Sequence, residues 1–437
     1  MTARGLIVAA SRSGSGKTTV TLGLLAALRR HGISVRAAKV GPDYIDPAFH
    51  AAATGAASIT LDSWAMPPGL LGALAEEAAQ AAEILIIEGV MGLFDGVAGS
   101  PGRTGSTADL AARLRLPVLL VLDVTGQSQT AAAVVRGLAS HDAAVRIAGV
   151  VLNRVGSERH RALVAPAIDA LGIPVLGAVP RDGALALPER HLGLVQAQEH
   201  DDLTTRLDRL ADMAQRHLDL EAIVAAAAPL TVDPASHRPA LPPPGQRVAV
   251  AADAAFTFAY PHLSDGWRRA GAEIVVFSPL ADQPPPHDCD ACWLPGGYPE
   301  LHADLLANAH RFQDGLRRFG ATRAVHGECG GYMVLGEGLE DAQGTRHAMV
   351  GLLGHATSLA THKLHLGYRE ARLLADCALG RAGTTIRGHE FHYATLISPG
   401  ADDKFLDLKN AQGQPVGGGG GRRGHVSGTF FHAIAQL

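Results

Sequence analysis

The chain has 437 residues, with 38 Lys and Arg against 42 Asp and Glu, a formal net charge of −4, and 47% apolar against 18% charged side chains. This length favours two domains over a single core, and the apolar content excludes a disordered, highly charged chain. Near-balanced charge without a basic run interleaved by aromatics argues against a nucleic-acid partner, and no segment approaches the roughly 20 apolar residues of a membrane span. Four cysteines make no disulfide framework, and the apolar run in MTARGLIVAASRSG is too short for a signal peptide, so a soluble, cytoplasmic protein is expected.

Taken in order, the first apolar run GLIVAAS leads into SRSGSGKTT and the helical pattern TVTLGLLAALRRHG. S-x-x-x-x-G-K-T between a strand and a helix is a Walker A loop in which Ser11 replaces the usual first glycine. Such a loop cradles phosphates with its amides, here those around Gly14, Gly16, Lys17, Thr18 and Thr19; Lys17 reaches the β/γ oxygens of ATP and the Thr18 hydroxyl ligates Mg²⁺. Arg12 either adds a phosphate contact or is solvated. The strand VRAAKVG follows, then KVGPDYIDPAFH, which places Lys39, Asp43 and Asp46 at the same sheet edge. AEILIIEG ends in Glu88, where a metal-coordinating carboxylate of the Walker B kind belongs, and EGVMGLFDG adds Asp95. This acidic set suits one or two Mg²⁺ ions or an anionic acceptor ordered through them, although each Asp alone could be a turn former. The runs PVLLVLDV, IAGVVLNRV and PVLGAVP complete a parallel sheet covered by helices, with Asn153 either an adenine contact or a strand-end cap.

AAAAPLTVDPASHRPALPPPGQ, residues 225 to 246, reads as an interdomain linker. Beyond it RVAVAAD, AEIVVFSPL, ACWLPGG and RAVHGE begin a second α/β domain. The last of these runs into ECGG, so Cys329 sits at the apex of a strand, glycine turn and helix, where turn amides and the helix dipole would favour a nucleophilic thiolate. Such a thiol needs a base; HEFHYA offers His389 and His392, and VSGTFFHAIA offers His432, among 21 histidines in all. The C-x-x-C at Cys289 and Cys292 reads as structural, Cys377 as core, and GGGGGRRG, residues 417 to 424, as a mobile surface loop.

The order GGYPE, GECGG and a late His after an apolar strand resembles the glutaminase domains of the cysteine–histidine amidotransferases. Carried across, the resemblance makes Cys329 the nucleophile and His432 its base, with amides near Gly297 and Gly330 holding the oxyanion. Over nearly the whole chain SGSGKTT, KVGPDYIDPAFH, IEGVMGLFDG, LPERHLGL, DAAFTFAYP, LPGGYPEL, ECGG and RGHEFHYA resemble the a,c-diamide synthases of cobyrinic and hydrogenobyrinic acid. The resemblance implies a dethiobiotin-synthetase-like P-loop domain over 1–225, a linker over 226–245 and a class I glutaminase-like domain over 246–437. It also implies an ATP- and Mg²⁺-dependent carbon–nitrogen ligase of cobalamin biosynthesis whose substrates are a corrin polycarboxylic acid, L-glutamine and ATP. Ring carboxylates would be amidated through acyl phosphates, with ammonia passing between the two sites, and Arg12 leans toward the cobalt-free acid. Under it Glu88, Thr18 and Asp43 hold metal, while Lys39, Tyr44, Asp46 and Asp95 face the acceptor. Cobyric acid synthase-like amidation of other carboxylates and a P-loop switch ATPase that only recruits a partner are the competing readings; a homodimer is left open.

Overall fold

The computed structural model describes residues 3–190, 193–231, 240–361 and 363–437. The chain separates into two compact units, Met1–His237 and Arg238–Leu437. Residues 232–239 of the expected linker, and His191 and Leu192 of LPERHLGL, lie outside the described residues. No described helix is long and apolar enough to cross a membrane.

In the first unit the apolar runs form β1 (Arg4–Ala10), β2 (Val35–Val40), β3 (Ile59–Leu61), β4 (Ile84–Glu88), β5 (Val118–Asp123), β6 (Ile147–Val155) and β7 (Val175–Pro180). They pair in the order β3-β2-β4-β1-β5-β6-β7, all parallel. Every residue of β4 and β5 is buried, which explains why these strands are apolar throughout and do not alternate. Helix α1 (Lys17–Arg30) follows β1 and packs on the helix Leu203–His217, and α2 (Asp46–Thr54) follows β2. Ala228 and Pro229 pair antiparallel with the start of β1, so this part of the expected linker is tied into the sheet.

The second unit begins with β8 (Arg247–Ala251), β9 (Glu273–Phe277), β10 (Ala291–Leu294) and β11 (Ala324–Glu328). Together with β14 (Val426–Thr429) they form a parallel sheet in the order β9-β8-β10-β11-β14, edged by the antiparallel Gly421–Arg423. A second, antiparallel sheet contains β12 (His365–Leu373), β13 (Thr385–His392) and β15 (His432–Gln436), extended by Leu406–Asn410 and Pro415–Gly418. The glycine tract is therefore not a loose loop: its ends enter Pro415–Gly418 and Gly421–Arg423. Cys377, read as core, is only half-buried.

Two features of this topology build the sites. In the first unit the carboxyl ends of β1, β2, β4, β5 and β6 meet at one sheet edge, where ligands bind in open parallel sheets. In the second, Glu328 of β11 pairs with Thr429 of β14, and the chain then leaves this sheet to enter the other at His432. The last histidine is thereby brought beside the end of β11.

Candidate active sites

The loop Ser11–Gly16 connects β1 to α1. Gly16 adopts a left-handed conformation (φ 89°), and a Cβ there would fall 2.2 Å from Asn153 Nδ2, so glycine is required on two counts. The Asn153 amide donates to Ser15 O at 2.8 Å and its Oδ1 accepts the Arg154 N–H. Asn153 thus pins the loop; the strand-end reading gains this contact. Arg12, with its side chain 62% exposed, and Arg154 both lie 2.7 Å from the buried Asp123 carboxylate. Arg154, at φ 59°, carries no distinguishing sequence pattern, because a single charge near the end of a strand is ordinary.

Behind the loop the parallel register sets Lys39 of β2 directly beside Glu88 of β4. Glu88 is fully buried and its two oxygens are shared out. Oε1 accepts the Thr18 hydroxyl at 2.6 Å and faces Lys39 Nζ at 3.2 Å, while Oε2 meets His50 Nε2 at 2.7 Å. The Lys39 ammonium also lies 2.6 Å from Asp46 and 3.8 Å from Asp43. Burial alone would lift Glu88, but Lys39, His50 and Thr18 outweigh it and hold the carboxyl far below its ordinary range. Burial likewise opposes charge on Lys39, and Asp46, Glu88 and Asp43 overcome it. Asp46 is pushed up by its burial and by Asp43, against the attraction of Lys39.

Asp43 caps the start of α2, its Oδ1 accepting the Ile45 and Asp46 N–H groups, and Tyr44 is buried beside it. Asp95 accepts the Gly92 N–H at 2.8 Å in the loop after β4, and Lys17 donates to Met91 O in that same loop. Burial, reinforced by Lys39, lowers Lys17 to about 8. The expected site residues of this unit are therefore gathered at one edge, with Thr19 half-buried on the first turn of α1. His50 was missed, although GPDYIDPAFH contains it, because a helical His gives no sequence sign of facing a strand-end carboxylate. Among the described residues no three or more His, Cys, Asp or Glu side chains form a metal cluster. The Thr18 hydroxyl and Glu88 carboxylate are nonetheless adjacent oxygen donors of the kind Mg²⁺ takes.

Among the described residues Lys39 is the cation that pairs with all three of these carboxylates, so its removal leaves the buried Glu88 and Asp46 facing each other without it. Lys39→Met is expected to cost about 3–5 kcal/mol of stability. Thermal unfolding should show this as a Tm drop on the order of 10 °C. A Tm within about 2 °C of wild type would show that the carboxylates do not depend on this ammonium.

In the second unit Cys329 follows β11 at φ 47° and ψ −105°, a region a non-glycine residue occupies only under constraint. Its N–H donates to Thr429 O at 2.8 Å, and the helix Gly330–Leu335 begins immediately after it. A Cβ on Gly331 would sit 2.0 Å from Leu294 O, so only glycine lets this helix press onto β10. Cys329 is 3% exposed and His432 is fully buried. A point one Cβ away from Gly296 lies 3.2 Å from Cys329 Cβ and 3.3 Å from His432 Nε2, so both side chains border the same space over Gly296. A Cβ on Gly330 would lie 3.0 Å from the Gly297 amide nitrogen, so the two glycines named for an oxyanion are neighbours.

One expectation is reversed. Burial, with Glu300 adding to it, pushes the Cys329 thiol above its ordinary value, and the Gly330 amide only partly offsets this. This direction disfavours the thiolate, so a base is needed to take the proton. His389 is not that base: its ring stands edge-on to His432 at 5.1 Å and its Nε2 meets Tyr260 OH at 3.2 Å. His392 is turned to Phe430, with ring centroids 3.9 Å apart, and its Nδ1 meets Ala394 O.

Comparison with known proteins agrees with this division. Residues 6–195 match the CobQ/CobB/MinD/ParA nucleotide binding domain, and residues 247–436 match the CobB/CobQ-like glutamine amidotransferase domain. A hydrogenobyrinate a,c-diamide synthase of Mesorhizobium japonicum is 63% identical over 436 residues, 100% of this chain and 99% of that one. Those of Agrobacterium fabrum and Rhodobacter capsulatus are 59% and 55% identical, covering 100% of both chains in the first case and 99% of both in the second. With a phosphate loop at one sheet edge, a thiol and imidazole at another, and this identity running through both units, the chain belongs to the hydrogenobyrinate a,c-diamide synthase family of glutamine-dependent, amide-forming ligases.

Proposed function

We propose that the protein amidates the a and c side-chain carboxylates of hydrogenobyrinic acid in the cytoplasm, with ATP as activator and L-glutamine as nitrogen source. The observation that carries this reading is the full-length identity of 63% to a relative of that name. Those relatives favour the a,c-diamide over amidation of other ring positions. The amidotransferase match of residues 247–436 removes the reason to read the second unit as a mere recruiting module.

A carboxylate is a poor acyl donor, and phosphorylation by ATP makes it one. In this reading the amides of Gly14 and Gly16 to Thr19 cradle the phosphates, Lys17 contacts the transferring group, and Arg12 adds charge from the loop. Asn153 contributes to adenine binding as well as pinning the loop. Thr18 and Glu88, with Asp43 nearby, would hold Mg²⁺, which supplies charge neutralisation on the phosphate oxygens. Lys39, Tyr44, Asp46 and Asp95 line the acceptor side. Cys329 attacks the glutamine carboxamide, His432 moves the proton, and amides at Gly297 and Gly330 hold the oxyanion. Keeping both chemistries in one chain limits the loss of ammonia to protonation in bulk water.

Purified protein supplied with ATP, Mg²⁺ and glutamine should turn over hydrogenobyrinic acid with a higher kcat/KM than cobyrinic acid assayed in parallel. Preference for the cobalt-containing acid would move the assignment to the other corrin, and diamidation of neither would remove it.

A further inference from the structure

Glu328 stands one residue before the nucleophile, and the sequence offers no reason to single it out. Its carboxyl is buried, 3% exposed, and points at the start of β15. Oε1 accepts the Ala433 N–H at 3.0 Å, and Oε2 lies 3.8 Å from His432 Nδ1. The first contact fixes the carboxyl to the main chain one residue beyond His432, and the second sets it beside the ring at ion-pair distance, longer than a hydrogen bond. The other ring nitrogen, Nε2, is the one that shares the space over Gly296 with Cys329.

We infer that Glu328 is a positioning residue of the glutaminase site, holding His432 by Nδ1 so that Nε2 faces the Cys329 thiol. The inference rests on the glutaminase reading above. In the step it serves, Nε2 takes the thiol proton as sulfur bonds to the carboxamide carbon, and Glu328 holds the resulting Nδ1–H of the imidazolium. Nε2 returns that proton to the departing nitrogen as the C–N bond breaks and ammonia leaves. Water, giving a proton to Nε2, then attacks the thioester carbon to release glutamate, and Nε2 returns the proton to the departing sulfur to restore the thiol.

A buried carboxyl packed for structure alone would be better replaced by an apolar side chain, since its desolvation is costly. The electrostatic surroundings explain why His432 needs such a partner. Burial and the neighbouring His389 press His432 well below its ordinary pKa, so an imidazolium there is unfavourable without a carboxylate. His389 and His392 on β13 are themselves lowered to about 3 by burial. Glu300 and Glu390 act on the thiol, and Glu390 is paired with Arg369 at 2.7 Å. Glu328, raised to about 8 by burial against its Ala433 N–H, is the shifted group of this set nearest neutrality. Glutaminase activity should therefore rise with pH as this carboxyl ionises.

The test compares Glu328→Gln and Glu328→Asp with wild type, measuring glutamate release against pH and, separately, amidation driven by ammonium salt. Glu328→Gln should lower glutaminase kcat on the order of 10²-fold with little change in glutamine KM, and should abolish the rise with pH. Glu328→Asp should recover part of kcat and keep the rise. Ammonium-driven amidation should stay at the wild-type level in both, and it reports that the chain is folded. If Glu328→Gln loses that activity too, the Asp variant decides: retention of the wild-type pH rise supports the inference and its absence overturns it. A Gln variant with wild-type kcat and pH profile overturns the inference while leaving the glutaminase reading intact. Absence of glutamate release from wild type overturns both.

Discussion

Cys329→Ala is expected to abolish glutamine-dependent amidation while leaving synthesis from added ammonium salt close to the wild-type rate. The substitution removes only the sulfur. The backbone of residue 329 keeps its N–H bond to Thr429 O, and the helix Gly330–Leu335 keeps its seat on β10, because Gly331 is unchanged. Without the sulfur no thioester forms, and the loss in glutamate release should be at least ~10³-fold. Ammonia supplied from solution bypasses that step, because the proposed function puts the activating chemistry at the phosphate loop of the other unit. Product formation with each nitrogen source, measured on the same preparation, decides the matter. Loss of the ammonium-driven reaction in a folded variant would mean that the thiol does more than release ammonia.

The reach of the sequence reading follows from what each residue pattern encodes. Strands β1, β2 and β4 to β7 were legible because parallel strands buried on both faces are apolar throughout, as in ILIIE and VLLVLD. Strand β3 has three residues, too few to show a period. The antiparallel sheet of the second unit was not read at all. HLGYREARL in β12 carries four charged or imidazole side chains on a strand that is mostly half-buried, so neither an alternating nor a continuous apolar pattern appears. Cys329 stood out through its glycine frame and Lys17 through its loop, since both signals are local in sequence. Among 21 histidines, His432 is distinguished in the sequence by family resemblance alone. Only the β14-to-β15 crossing supplies a geometric reason for it. Glu328 and His50 depend on contacts across 105 and 38 positions, and no local pattern announces them. The expected thiolate failed for a related reason: its environment is set by tertiary burial, which outweighs the local turn amides.

Lys17→Ala is the complementary experiment, and it should eliminate synthesis from glutamine and from ammonium salt alike. Lys17 is nearly buried, and its Nζ is held against Met91 O in the loop that also carries Asp95. That tether holds the ammonium by the loop after β4, where Glu88, Asp46 and Asp95 act on its charge. Burial and Lys39 bring the amine down to about 8, and phosphate oxygens arriving beside it would favour its charged form. Removing it deprives the transferring phosphoryl group of a fixed positive charge, a loss on the order of 10²–10³-fold in rate. In the proposed reading glutaminase activity resides in the other unit's Cys329 and His432, so glutamate release should persist in this variant while diamide and ADP do not appear. Ammonium-driven diamide formation at the wild-type rate would place activation of the acid somewhere other than this loop. The two substitutions thus separate the two chemistries: one removes the nitrogen supply and the other the acyl activation, and each leaves the other's product measurable.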